Sequence, residues 1–289
     1  MDPALEALLD GVIDYAGLYP PARLDMEPAV REYFRHLGGP DSLIVNRFVC
    51  PASRLAELGD VLDKFHPDVI FAITATGAGT EQIDADRAAL DAHAKRFGSH
   101  FEVEAFETKS IGDVQASLRA LKPLAHLDLY LEVPLDDHIE ESLHAIADAE
   151  FASAKARTGG QEPAAFPPSA RLANFMRECL DLNLAFKLTA GLHHPIRRLD
   201  PTTGATAHGF LNVLIALALA EEHELNRAEI TAILEDENAH NFIVDGNEAG
   251  HGDLRAGLQS IDAVRTLFSG FGSCSLEEPV EDLKALGLW

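Results

Sequence analysis

Apolar and polar positions alternate along this chain in a repeating pattern of short strand-like runs and longer helical ones. Helical spacing of apolar residues is found at residues 27–37, 52–65, 111–121, 137–149, 169–182, 210–222, 226–237 and 280–286, and in a stretch ending near 97. Strand-like runs lie between them, at residues 8–16, 42–50, 68–75, 100–109, 127–135 and 263–269 and within 151–160 and 184–195. Alternating strands and helices are typical of a parallel sheet built from βαβ units.

Eight such units without a glycine-rich dinucleotide fingerprint favour a closed barrel over an open doubly wound sheet. The fold class predicted is therefore α/β, a single (β/α)8 TIM-type barrel over residues 1–289. No long linker or low-complexity tract divides the alternation. An insertion is expected at about 223–260, helical at first and irregular over 238–255, where Asp, Asn, Gly and His are frequent.

Two of the predicted strands carry a lysine at their centre and a glycine just beyond. Lys155 lies in an apolar run before Gly159, and Lys187 lies in another before Gly191, although the chain has only seven lysines. An amine inside a buried strand costs several kcal/mol unless it is paired, solvated or deprotonated. A functional role for both lysines is the preferred interpretation, against the alternative of lysines that extend to solvent or pair with Glu132.

Barrel chemistry takes place at the carboxyl ends of the strands, so polar residues late in a strand are site candidates. The alternation of side chains puts Lys155 and Lys187 on the inner face of strands about 4.8 Å apart. Two neighbouring buried amines are expected to lower the pKa of each other, which would make a nucleophile for a carbonyl substrate. The residues placed near this mouth are Asp14, Asn46, Arg47, Glu107, Glu132, Lys155, Arg157, Lys187, Thr189 and His193.

The order of these features resembles the deoxyribose-phosphate aldolase branch of the class I aldolase barrels. The features are Glu132 ending strand five, Lys155 before Thr158-Gly159, Lys187 before a glycine, and Gly272-Ser273-Cys274-Ser275 after strand eight. The resemblance implies that Lys155 forms a Schiff base, that Lys187 adjusts its pKa, and that the turn from Gly272 to Ser275 holds phosphate. Where the family has Lys-Thr-Ser-Thr-Gly, this chain has Lys155-Ala156-Arg157-Thr158-Gly159, which adds an arginine at the mouth.

We therefore expect an aldolase-like lyase that acts on a small anionic, phosphorylated carbonyl compound and needs no cofactor. Its catalytic residues would be Lys155, Lys187, Glu132 and His193, the last two as proton carriers. Guanidinium and backbone N–H groups are suited to anions, and a strand-to-helix turn is the alternative reading of the same glycines. The substrate-binding residues would be Asp14, Arg47, Arg157, Thr158, Gly159, Gly160, Thr189, Gly272, Ser273 and Ser275.

The histidines leave a second chemistry open. His193, His194 and His208 could hold a divalent metal with carboxylates such as Asp14, Glu132 or Asp200, as in a metal-dependent hydrolase or isomerase. His208 could instead hold a loop at the start of a helix. A barrel that binds a metabolite without catalysis is the third alternative.

Composition excludes several classes of partner. The net charge is −24 and the pI is about 4.8, so neither nucleic acid nor an anionic membrane is an expected partner. The longest apolar run, at 210–220, is about half of the ~20 residues needed to cross a bilayer. The N-terminal residues are acidic rather than signal-like, and the three cysteines have no metal-like spacing. A cytoplasmic protein with reduced cysteines is expected, and a homodimer is the candidate assembly.

Overall fold

Eight parallel strands form a closed barrel in this computed structural model, which describes residues 2–65, 72–98 and 100–289. Each strand pairs with its neighbour in sequence, and the eighth closes against the first, as expected for a (β/α)8 fold. The strands are β1 (Ile13–Tyr15), β2 (Val45–Pro51), β3 (Ile73–Thr76), β4 (Val103–Lys109), β5 (Asp128–Glu132), β6 (Ser153–Arg157), β7 (Phe186–Thr189) and β8 (Phe268–Ser273).

Helices surround the barrel and cover its outer face. They are α1 (Pro3–Leu9), α2 (Met26–Leu37), α3 (Leu55–Phe65), α4 (Ile83–Phe97), α5 (Val114–Leu121), α6 (Ile139–Ala149), α7 (Ser169–Asp181), α8 (Phe210–His223), α9 (Arg227–Glu235), α10 (Leu258–Leu267) and α11 (Glu277–Ala285). Most are apolar on one side only, but α8 is buried from Phe210 to Ala220. It packs against α9, α10 and a small sheet, which explains its apolar residues on every face. None of the described helices combines the length and the apolar character needed to cross a bilayer.

The first and last barrel strands differ from their predicted positions. Residues 8–16 were expected to form one strand, whereas α1 ends at Leu9 and β1 has only three residues. Residues 263–269 were expected to form the eighth strand, whereas most of them lie in α10 and the strand follows. Short apolar runs fit a buried helix as well as a strand, and the glycines of β8 made that segment look like a turn. Gly270 has a φ of +125°, and a side-chain carbon there would lie 2.3 Å from the Val12 carbonyl oxygen.

The insertion contains regular structure where irregular chain was expected. Residues 242–245, 248–251 and 254–257 form a three-stranded antiparallel sheet that packs on α8 and α1. Its two tight turns contain Gly246 and Gly252, both with a φ of +57°. The Asp, Asn and Gly residues that indicated a loop are therefore turn residues of hairpins. The predicted strand at 68–75 falls partly on residues 66–71, outside the described residues, and its described part is β3.

Candidate active site

Lys155 and Lys187 occupy neighbouring positions on β6 and β7. Their Cα atoms are register partners, so both side chains point into the barrel at the same height. Lys155 is 7% exposed and Lys187 is 2% exposed. Two ammonium groups this deep require compensating charge, because an unpaired buried ion costs several kcal/mol.

That charge comes from carboxylates contributed by three other strands. Lys187 Nζ contacts Asp14 Oδ2 of β1 and lies 2.5 Å from Glu107 Oε1 of β4. Lys155 Nζ lies 2.7 Å from the other oxygen of Glu107 and 3.2 Å from Glu132 Oε2 of β5. Arg157 Nε completes the series 3.3 Å from Glu132 Oε1. Positive and negative groups thus alternate across the barrel interior, and we call these six side chains the charge network.

Lys187 is the most enclosed cation of the charge network. Burial favours the neutral amine, but the contacts with Asp14 and Glu107 outweigh it and raise the pKa of Lys187. The Tyr130 ring adds a cation–π contact, with its centre 5.5 Å from Nζ. The expectation that the two lysines depress the pKa of each other is wrong for Lys187, because carboxylates stand between the amines.

Asp14 supports Lys187 and does not line an open pocket. The side chain is 1% exposed, and Oδ1 accepts hydrogen bonds from Asn46 Nδ2 at 2.7 Å and from the Arg47 backbone N–H at 3.2 Å. Thr74 Oγ1 donates to Oδ2 at 2.9 Å. These donors fix the position of the carboxylate beside Lys187. Asp14 was expected to bind substrate, whereas in the structure it is buried and contacts the Lys187 amine.

Glu107 is the centre of the charge network, although the sequence had suggested no role for it beyond its place near the mouth. It is 3% exposed, and each of its oxygens contacts a different lysine. Burial alone would raise its pKa, but the two ammonium groups lower it to about 2. A sequence signal existed, since period-two alternation along β4 turns Glu107 inward, towards the lysine strands.

Arg47 lies away from the mouth, contrary to expectation. Its guanidinium contacts Glu104 Oε2 at 2.9 Å and Asp128 Oδ2 at 2.6 Å, near the beginnings of β4 and β5. The strand was predicted at 42–50, which made Arg47 a late residue, but β2 begins at Val45. The arginine therefore sits near the amino ends of the strands, and only its backbone N–H reaches the charge network.

Two glycine-containing loops meet at the carboxyl ends of β6 and β7. Thr158 Oγ1 donates to the Ala190 carbonyl, and its N–H donates to the Thr189 carbonyl at 2.9 Å. A side-chain carbon on Gly159 would lie 2.7 Å from the Gly191 Cα, so both positions require glycine. Ala190 has a φ of +62°, a strained conformation for a residue with a side chain.

The same loops contain backbone N–H groups without a hydrogen-bond acceptor. Within the described part of the chain, these are the N–H groups of Gly159, Gly160 and Gly191. Arg157 is 43% exposed beside them. N–H groups and a guanidinium in one place suit an anionic group.

The predicted phosphate turn after β8 is arranged differently. Gly272 pairs with Asp14 and Thr189 and faces the barrel interior, where a side-chain carbon would lie 3.1 Å from Thr189 Oγ1. Ser273 pairs with Tyr15 on the outer face, is 2% exposed, and donates its hydroxyl to the Ser275 carbonyl at 2.7 Å. Of these residues, only Gly272 borders the interior of the barrel in register with the charge network.

The three histidines have separate protein partners. His193 Nδ1 lies 3.2 Å from Glu278 and His194 Nδ1 lies 2.6 Å from Asp282, both on α11. His208 contacts the Pro167 carbonyl and Arg197 through its two ring nitrogens. Among the residues that the structure describes, no group of three or more His, Cys, Asp and Glu side chains could hold a metal ion.

Comparisons with known proteins add no relative to this geometry. No protein-family model matches the sequence, and a search of curated proteins finds no significant similarity. The barrel is therefore established by the structure, and the aldolase-like chemistry depends on the residues of the site.

Proposed function

We propose that this barrel is a Schiff-base lyase in which Lys155 attacks the carbonyl group of a small anionic substrate. The observation that carries the proposal is the position of the Lys155 amine, which lies between two carboxylates at the mouth end of a buried charge network. An amine next to proton acceptors, in a site that excludes water, is the arrangement that imine formation requires.

Lys155 is a better candidate than Lys187 for the nucleophile. Two carboxylates and the Tyr130 ring enclose Lys187, and its raised pKa keeps the amine protonated. Lys155 stands beside Glu132, which contacts the half-exposed Arg157, so its amine is closer to the opening. Lys187 would then act as a fixed positive charge that stabilises Glu107 and any negative charge developing nearby.

Substrate binding provides a way to free the Lys155 amine. Burial raises the pKa of Glu132, but Lys155 and Arg157 outweigh this effect and lower it, so the resting carboxylate is a weak base. An anionic group on the substrate competes with Glu132 for Arg157. As Arg157 turns to that group, Glu132 becomes more basic and accepts the proton of Lys155.

The reaction then follows from the groups in contact. The neutral amine adds to the carbonyl carbon, the oxygen takes a proton, and loss of water leaves an iminium ion. Glu132 takes the proton of the hydroxyl group on the β carbon, the bond between the α and β carbons breaks, and its electron pair moves into the iminium, which gives an enamine and releases an aldehyde. The enamine carbon takes a proton, and water regenerates the amine. Glu132 is close enough to Lys155 to carry these protons.

Trapping with a reductant tests the proposal. The protein is incubated with pyruvate, acetaldehyde, dihydroxyacetone phosphate or glyceraldehyde 3-phosphate and treated with borohydride, and adducts are located by peptide mass spectrometry. We expect one adduct per chain, on Lys155, formed most readily with the anionic compounds. The variant Lys155→Met should lose it.

Lys109 provides the matched control, because it is an exposed lysine at the end of β4, two strands away from β6. The variant Lys109→Met should leave the adduct on Lys155 unchanged. Equal labelling of Lys109 and Lys155 would show that the reaction reflects exposure alone and would refute the proposal. An adduct on Lys187 instead would exchange the roles of the two lysines.

Non-catalytic binding of a metabolite is the second candidate, favoured by one observation. Both buried lysines already have carboxylate partners, as ions with a purely structural role would. In that case none of the compounds would form an adduct, while anionic metabolites would still raise the melting temperature of the wild type. The variant Arg157→Gln would reduce that rise.

A further inference from the structure

A buried carboxylate without a partner lies outside the charge network, under the loops that follow β3 and β4. Asp86, in the first turns of α4, is 7% exposed. Its Oδ2 atom is buried, and among the described residues this atom has no hydrogen-bond donor and no ion-pair partner. A carboxylate in this situation is costly, because Asp is almost never buried without a partner.

A buried hydroxyl without a partner lies on the facing strand. Thr108 is the residue after Glu107 in β4, so its side chain points away from the barrel axis, towards the helical layer. It is 2% exposed, and within the described ranges its Oγ1 has no hydrogen-bond partner. Two buried oxygen groups are thus left unsatisfied in one region.

Gly77 shows that the two oxygens lie close to each other. A side-chain carbon at Gly77 would lie 2.5 Å from Asp86 Oδ2 and 3.0 Å from Thr108 Oγ1, with the Phe106 ring also beside it. The oxygens do not hydrogen bond with each other. They approach from two elements, α4 and β4, as the ligands of a shared ion do.

Further hydroxyl groups lie in the neighbouring turns. Thr80 Oγ1 is 3.2 Å from Ser117 Oγ, which is 3.1 Å from Ser110 Oγ. Ser110 follows Thr108 by two residues. The region between the ends of β3 and β4 and the starts of α4 and α5 therefore places several hydroxyl oxygens near the buried carboxylate of Asp86.

We propose that Asp86 and Thr108 bind a monovalent cation, Na⁺ or K⁺, between α4 and β4. Hard oxygen ligands, one of them charged, match the needs of an alkali cation, which supplies the single positive charge that the carboxylate lacks. Burial, together with the nearby Glu81, raises the pKa of Asp86, so the bare carboxylate is disfavoured without such an ion. The net charge of −24 raises the local concentration of cations.

The site would stabilise the strand that carries the centre of the charge network. Thr108 adjoins Glu107 in sequence, and the Gly77 N–H donates to the Glu107 carbonyl at 2.8 Å. A cation held by Thr108 and Asp86 ties the end of β4 to α4 and fixes the backbone from which Glu107 reaches both lysines. This inference does not depend on the proposed lyase activity.

Thermal unfolding in different chloride salts tests the site. The melting temperature is measured in KCl, NaCl and choline chloride at one ionic strength, where general screening is the same. We expect the wild type to melt about 2 to 4 °C higher in the preferred alkali salt than in choline chloride, as tenfold saturation of one site predicts. The increase should saturate with salt concentration.

Three variants make the result specific. Asp86→Asn removes the charge and Thr108→Val removes the hydroxyl at constant shape, and each should abolish most of the difference between salts. Asp91→Asn changes an exposed aspartate on the same helix and should retain it. In crystals soaked with rubidium, anomalous scattering should place an ion between Asp86 and Thr108. Equal melting temperatures in all salts, or no such peak, would mean that a proton or a water satisfies Asp86, and would overturn the proposal.

Discussion

Lys155 and Lys187 are neighbours across β6 and β7, yet each amine binds a different oxygen of Glu107. The carboxylate separates two positive charges that would otherwise repel each other. It also connects Lys155, which is 7% exposed, with the more enclosed Lys187, which is 2% exposed. The properties of the site therefore depend on Glu107 as much as on the lysines.

Removing the Lys187 charge should destabilise the fold strongly. Lys187→Met leaves Asp14 and Glu107 buried without their shared cation, and we expect a loss of about 3 to 5 kcal/mol in the free energy of unfolding. Urea denaturation at neutral pH measures it. The control Lys109→Met removes an exposed lysine and should stay within about 0.5 kcal/mol of the wild type. A similar small loss for both variants would contradict the importance of the charge network.

Glu107 should make stability depend on pH in the acid range. Its pKa falls from an ordinary 4.5 to about 2 on folding, so its contribution is complete above pH 4.5 and is lost as the pH falls towards 2. That contribution is about 3 kcal/mol. Glu107→Gln should be less stable at pH 6 and should lose less stability between pH 4.5 and 2. Urea titrations at several pH values measure both effects, and the exposed Glu235→Gln should follow the wild type.

His208 should act in a separate, higher pH window. It is 1% exposed, and burial, with a smaller contribution from Arg197, lowers its pKa to about 4. In the unfolded chain His208 binds a proton near pH 6.5, whereas in the folded chain it stays neutral down to about pH 4. The free energy of unfolding therefore falls between pH 6.5 and 4, by about 3 kcal/mol in total. His208→Gln should have a flatter profile in this window, whereas exposed His126→Gln should not. Parallel profiles for the wild type and His208→Gln would show that the ring is protonated in the fold.

The contact between the two mouth loops should not tolerate a side chain. In Gly191→Ala, the new carbon would lie 2.9 Å from both the Gly159 Cα and the Thr158 carbonyl oxygen, at a φ of +81°. We expect a loss of about 2 to 4 kcal/mol from strain and overlap together, with weaker trapping of carbonyl compounds. Gly204→Ala is the matched control, since its φ is +71° but nothing lies within 4 Å. It should cost about 1 kcal/mol, the conformational part alone. Equal losses would mean that the loops can separate.

The barrel and the alignment of the two lysines could be predicted from the sequence because both depend on local periodicity. Alternation along 153–157 and 186–189 predicts which residues share a face with each lysine, and the parallel pairing of the two strands then aligns Lys155 with Lys187. The apolar runs between helices likewise indicated six of the eight strands. The first strand and the eighth were misplaced because a three-residue strand and a glycine-rich strand carry too little periodic signal.

The ionic partners could be settled only by the tertiary structure. Asp14 and Glu107 are 173 and 80 residues away from Lys187 along the chain, and only barrel closure brings them to its amine. The height of Arg47 in the barrel depends on where β2 begins. Because the strand begins at Val45, Arg47 lies near the amino ends of the strands and not at the mouth. The sequence determined which way each side chain faces, because a strand alternates residue by residue. The charge on a buried amine depends on every group around it, and those groups come from strands that meet only when the barrel closes.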